Sequence, residues 1–341
     1  MECNTYVDAP GFIDLQVNGF ARVDFNSPAA PRKEIARAIT AIFSTGVTRF
    51  FPTVITGDPA AMIGALKNLA GARDALEQGA AMEAFHLEGP HISADDVPRG
   101  AHPREWIRPP DFTEFLRWQD AAQGRVGRVT LAPEWPGAMR YIEQITEAGA
   151  VAAIGHTRAT AAQIHDAVSA GATLSTHLGN GAGSATRTDD FIAQQLAEDR
   201  LSASFIVDRH HLPEEFLRRA IAAKGIERCI LVTDAVAPAM SVPGPYSLGG
   251  VDVELREDGR VTLRGAERLA GSSLRMDQAI ANVMARAGVS LEDALAMATT
   301  NPARAGRVER APDSDRVRFE MVDGRVEILE THFNGKLVYS R

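Results

Sequence analysis

Short apolar runs alternate with amphipathic stretches along most of the chain. Residues 12–17, 47–53, 82–87, 128–131, 151–154, 173–175, 202–207 and 230–232 are brief runs bounded by Gly, Pro or polar residues. Runs of that length and character read as buried strands. Between the first two, Ile35, Ala38, Ile39, Ile42 and Phe43 keep helical spacing, with Pro31 at the start and Gly46 as a stop. Further helices are predicted over 59–78, 113–122, 137–147, 160–170 and 213–224. Eight strands alternating with helices predict an α/β fold, a (β/α)8 TIM barrel whose strand ends share one mouth.

The alternation stops after Asp234. Residues 246–263 read as a β-hairpin, with Val251, Val253 and Leu255 alternating before a turn at Glu257-Asp258-Gly259. Two helices follow, over 273–287 and 291–299, and then three short strands over 317–320, 326–329 and 336–339. The predicted division is a barrel over residues 9–303, interrupted by the hairpin insertion 246–264, and a small β appendage over 304–341. A polar, Pro-rich loop spans 89–110, and loops of that length are uncommon unless they serve a function.

Composition narrows the class without naming a substrate. A chain of 341 residues has room for one large barrel and an appendage, and 45% hydrophobic residues supply the core. The formal net charge of −8 argues against a nucleic-acid partner or an anionic membrane surface. Cys3 and Cys229 are the only cysteines, so no disulfide framework is expected and a reducing cytoplasm fits. The N-terminal residues lack the basic and apolar regions of a leader, and no apolar run is long enough to span a membrane. The expectation is a soluble cytoplasmic protein.

The chemistry sits just beyond the strands. Glu88, His156, His177 and Asp234 each follow the end of a predicted strand, at positions that a barrel would bring to one mouth. A single such His would read as a satisfied interior histidine. One carboxylate and two imidazoles on three strand ends instead form a ligand set suited to zinc or another divalent ion with a position open for water. Asp234 is the candidate for acid–base work, because an amine leaves an amide only when its nitrogen is protonated as the bond breaks. Folding alone does not require these four groups together, which favours an enzyme over an idle scaffold.

Six motifs occur in order: Pro10-Gly11-Phe12-Ile13-Asp14, His86-Leu87-Glu88-Gly89-Pro90, Gly155-His156-Thr157, Thr176-His177-Leu178, Thr233-Asp234-Ala235 and Leu269-Ala270-Gly271-Ser272. Together they resemble the N-acetylglucosamine-6-phosphate deacetylases of the amidohydrolase superfamily. The resemblance implies metal ligation by Glu88, His156 and His177, with Asp234 as the catalytic acid–base. It implies one zinc-type metal per chain, because Gln16 and Asn18 stand where many amidohydrolases carry two further His ligands. It places Ala101 and His102, Asn180 and Gly181, and Leu269, Ala270 and Gly271 against the sugar. His211 would contact the acyl carbonyl, with His210 as a rival because Arg209 replaces a family Gly. Arg187 falls close to the family's phosphate-binding Arg, although Asp189 and Asp190 beside it would repel a dianion if turned inward.

The implied reaction is hydrolysis of the N-acetyl amide of an amino sugar, first of all N-acetylglucosamine 6-phosphate, to glucosamine 6-phosphate and acetate. A non-phosphorylated N-acyl amine or a cyclic amide is the alternative substrate. The resemblance also implies a homodimer and a small β-sandwich beside the barrel. That sandwich is expected in reduced form, because the barrel begins almost at the first residue.

Overall fold

The structure is a computed structural model that describes residues 6–180, 190–308 and 314–341. Its centre is an eight-stranded parallel sheet in sequence order: Phe12–Val17, Val47–Ile55, Phe85–Glu88, Val126–Leu131, Val151–Ile154, Leu174–Ser175, Ser202–Phe205 and Cys229–Leu231. The sheet curls until its last strand meets its first. Closure is made by residues just past the last strand, where Ala235 bridges Val17 and the Asp234 amide donates to the Gln16 carbonyl at 3.0 Å. Every residue of the first strand is buried, as expected of a strand covered on both faces.

Most predicted elements lie where periodicity places them. The first helix runs Arg32–Phe43 and buries all five predicted apolar positions. The second, Pro59–Ala75, starts sharply because the Asp58 carboxylate accepts from the amides of Ala60 and Ala61 and Pro occupies the first turn. It stops short of residue 78 because Leu76 is already extended. The third strand begins at Phe85 rather than 82; Met82, just after a 3-10 turn at Gly79–Ala81, makes only an isolated bridge to Phe50.

Two expectations change. The stretch read as one hairpin is a three-stranded antiparallel sheet, Gly244–Leu248, Val251–Leu255 and Val261–Leu263. The extra reversal is Gly249-Gly250, both left-handed, a two-residue turn that side chains would disfavour. Leu248, Val253, Leu255 and Val261 form a small second core with Ile55, Val236 and Ala270, which seats this sheet over the barrel mouth. The appendage also gains a strand that the apolar pattern did not disclose. Tyr6–Pro10 pairs antiparallel with Arg316–Val322, followed by Arg325–Phe333 and Lys336–Ser340. Among the described residues it is one four-stranded sheet rather than a sandwich of two. Phe319 against Phe12 and Phe333 against Phe43 dock it on the barrel, with ring centroids 6.2 and 5.5 Å apart.

Polar groups lie inside the barrel as well as at its mouth. The Asp14 carboxylate accepts from the Gln16 and Thr233 amides, each at 3.2 Å, and from the Thr233 hydroxyl at 2.5 Å. Burial pushes this carboxyl up to about 7, although its hydrogen bonds and the Arg128 guanidinium pull the other way. A folded-state value above the ordinary 3.8 means that the native protein holds an extra proton between about pH 4 and 7. Asp14 therefore contributes stability at low pH that is lost as pH rises to about 7. Chemical denaturation at pH 5 and pH 8 should show Asp14→Asn losing ~1–3 kcal/mol less than wild type across that interval. Identical losses would show that Asp14 titrates alike in both states.

Candidate metal centre and active site

Each candidate group is turned inward by the backbone at a strand end. His156, His177 and Asp234 have φ values of 49°, 28° and 51°, in or near the left-handed region that residues with a Cβ seldom adopt. Hydrogen bonds maintain these turns. The His177 amide donates to the Ser204 hydroxyl at 2.8 Å, and the Ser272 amide donates to the Asp234 carbonyl at 3.0 Å. Beyond His156, the Thr157 hydroxyl donates to Glu134, whose other oxygen accepts from the Arg158 amide at 3.0 Å.

The ligand atoms of Glu88, His156 and His177 all lie within 4.8 Å of one another. Glu88 Oε1 is 2.6 Å from His177 Nε2 and 3.1 Å from His156 Nε2. His156 Nδ1 lies 2.7 Å from the Pro98 carbonyl, to which it must donate. With Nδ1 so committed, Nε2 can meet the carboxylate in two ways: through a proton, since burial lowers the His156 ring but Glu88 more than offsets it, or through a metal ion when the ring is neutral. Two imidazole nitrogens and one carboxylate oxygen are donors that suit a divalent ion of the zinc type, so the residues present fit a metal. Burial raises the Glu88 carboxyl, but hydrogen bonds from the two imidazoles outweigh it and hold the group well below the usual range.

Asp234 lies beside this cluster. Burial, and then the charge of Glu88, push its carboxyl up to about 7. Gln16 Nε2 donates at 3.0 Å to both Glu88 Oε1 and Asp234 Oδ1, and Asn18 Nδ2 donates to the same Asp234 oxygen at 2.6 Å. The sequence marked these two amides only as standing where further metal ligands could be. Both side chains are in fact buried and hold the two carboxylates.

The other expected site residues are also traceable. His211 is buried, with Nδ1 2.7 Å from Asp208 Oδ2. His210 is more exposed and lies 3.2 Å from the Asp258 carbonyl. Both line one cavity of about 290 Å3 with Glu88, His156 and Asp234. Arg209 takes φ 76°, so the left-handed turn expected of a glycine persists with Arg in its place. His102 is buried, with Nδ1 3.0 Å from the Thr56 hydroxyl. Burial first, and His156 second, push its ring down to about 3, so it is neutral. Ala101, Asn180, Leu269, Ala270 and Gly271 line the same cavity. Gly181, Arg187 and Asp189 lie outside the described residues, and Asp190 opens the helix Asp190–Ala197. His86 bridges Thr53 and Thr130 beneath the mouth. Arg268, which lines the cavity, and Asp208 and Glu134, which hold His211 and Thr157, escaped sequence reasoning, because only the fold reveals those contacts.

A closed barrel with carboxylate and imidazole groups gathered at the ends of its strands defines a hydrolase of the amidohydrolase type. The chain belongs to the Amidohydrolase family, which it matches over residues 9–310, and membership implies a divalent metal. Within that family it falls among the N-acetylglucosamine-6-phosphate deacetylases. It is 31% identical over 335 residues to the deacetylase of that name from Lysinibacillus sphaericus, covering 96% of this chain and 84% of the relative. The Homo sapiens protein of that name is 33% identical over 359 residues, covering 99% and 85%. The deacetylase of Mycobacterium smegmatis, solved as a mutant in complex with N-acetyl-D-glucosamine-6-phosphate, superposes with a TM-score of 0.89 at 31% identity, covering 98% of this chain and 88% of that one.

Because Gln16 serves two buried carboxylates at once, removing its amide leaves both short of a donor. Gln16→Leu should lower unfolding free energy by ~2–4 kcal/mol at pH 8, measured on chelator-treated protein. A loss of ~0.5 kcal/mol or less, which is the scale of surface substitutions, would show that the shared amide is dispensable.

Proposed function

We propose that this protein hydrolyses the N-acetyl amide of N-acetylglucosamine 6-phosphate, releasing glucosamine 6-phosphate and acetate. The observation that carries the reading is the convergence of Glu88, His156 and His177 on one point, with Asp234 tied to them through Gln16. The names of the relatives supply the substrate class. In this reading Glu88, His156 and His177 hold one zinc-type ion per chain. When bound there, such an ion would polarise the acyl group and lower the pKa of water toward neutrality.

The residues divide the remaining work. Asp234 takes a proton from the attacking water and returns it to the amide nitrogen as the C–N bond breaks. That exchange makes the departing group a neutral amine rather than an amide anion. Asn18 and Gln16 keep Asp234 aimed while its charge changes. Asp208 orients His211 through Nδ1, and the ring lines the cavity where the acyl group would lie. His102, Ala101, Asn180 and Gly181, with Leu269, Ala270 and Gly271, enclose the sugar, and Arg187 contributes to binding its phosphate. The reading includes a homodimer and a cytoplasmic location. The presence of only two cysteines agrees with a reducing compartment, and no helix among the described residues is long and apolar enough to cross a membrane.

Elemental analysis of protein purified without chelator should find about one tightly held divalent ion per chain, and two would overturn the single-site reading. Asp234→Asn should lower deacetylation by ~10²-fold or more while keeping the metal, whereas His177→Ala should lose metal and activity together. Near-normal turnover by Asp234→Asn would remove that residue from the mechanism.

A further inference from the structure

Arg268 lies in the turn after the last strand of the mouth-covering sheet, and it lines the same cavity as Glu88, His156 and Asp234. Its Nη1 donates to two carbonyls, Asp96 at 3.2 Å and Gly100 at 2.9 Å. Those bonds occupy one end of the guanidinium. The other edge, Nε–H together with Nη2–H, meets no protein acceptor among the described residues. That edge presents two parallel donors, the geometry that grips a carboxylate or phosphate through a pair of charge-assisted bonds. The nearby Asp96 carboxylate is turned to Arg99 at 2.7 Å and Arg104 at 3.7 Å instead.

The charge distribution of the cavity sharpens the point. Among the described residues that line it, Arg268 is the one permanent cation, and Glu88 and Asp234 are the acids. Both acids are buried on the floor, while Arg268 is exposed at the rim. A ligand whose amide reaches the floor and whose other end carries negative charge would be matched at both ends. A neutral ligand would leave the free edge of Arg268 to water.

We infer that Arg268 is a further anion anchor of this site, additional to the role given to Arg187, and adds to its preference for a phosphorylated sugar, an inference that rests on the deacetylase reading for the position of the amide. It acts from the segment that follows the last strand of the sheet over the mouth. Its two carbonyl bonds have a second consequence, because they fasten that sheet to the segment that carries Ala101 and His102. A purely fastening role predicts equal damage to every substrate, whereas an anchoring role predicts damage to charged ones alone.

The experiment compares kcat/KM for N-acetylglucosamine 6-phosphate and for N-acetylglucosamine, in metal-loaded wild type and in Arg268→Gln. The phosphorylated sugar should lose about 10- to 100-fold, as expected when a paired charge-assisted contact is removed, and the free sugar less than about threefold. Equal losses on both sugars, or no loss on either, would overturn the anchor. Calorimetric binding of glucosamine 6-phosphate and glucosamine supplies a readout that needs no turnover. Wild type should prefer the phosphorylated amine and Arg268→Gln should not; a wild type without that preference also overturns the inference. If wild type hydrolyses neither N-acetyl sugar, the deacetylase reading fails, and the binding comparison still decides the role of Arg268.

Discussion

Two carboxylates share the floor of this barrel, and one amide lies between them. Glu88 and Asp234 are both buried, and like charges in a poorly polarisable interior repel far more strongly than at a surface. Gln16 Nε2 donates to one oxygen of each, and Asn18 adds a donor to Asp234. This arrangement exists because barrel closure sets the first strand beside the residues that follow the eighth. The Asp234 amide on the Gln16 carbonyl and the Asn18 amide on the Ala235 carbonyl make that seam. A histidine at either amide position would offer a metal another ligand. A glutamine and an asparagine offer donors to the two carboxylates instead.

Beneath the mouth, a buried polar layer supports the turns that present the site. Arg128 donates to the Leu15 carbonyl at 3.2 Å and to the Thr176 hydroxyl at 2.7 Å. Thr176 meets Thr130 at 2.8 Å, Thr130 meets His86 at 2.8 Å, and His86 meets Thr53 at 3.1 Å. Asp14 and Thr233 form a second branch directly under Asp234. Such a network has directional contacts that hydrophobic packing lacks, and it fixes where each strand stops and turns. The left-handed residues at His156, His177 and Asp234 are tolerated because their neighbours are held from several sides.

Above the mouth, specificity passes to elements that are not part of the barrel. The small sheet from Gly244 to Leu263 contributes Leu248 to the cavity wall and precedes Arg268, and the segment around Gly100 contributes Ala101 and His102. Floor and roof therefore have separate tasks. In the proposed reaction the floor would bind the metal and move the proton, and the roof would meet the rest of the ligand.

The sequence by itself determined the barrel, the order of its strands and the four residues Glu88, His156, His177 and Asp234. Those features are written in local periodicity and in the position of a residue just past an apolar run, so adjacent residues suffice to state them. The roof was legible only in part: Gly249-Gly250 splits the expected hairpin, a turn signal that the alternation of Val251, Val253 and Leu255 overshadowed. The strand Tyr6–Pro10 was illegible, because what makes it a strand is its pairing with Arg316–Val322, about three hundred residues away in the chain. Only the tertiary structure decided that Gln16 joins two carboxylates, that Asp208 holds His211 and that Arg268 overlooks the same cavity. Each of those roles depends on the distance and direction between side chains on different strands, and no spacing along the chain encodes that before the barrel closes.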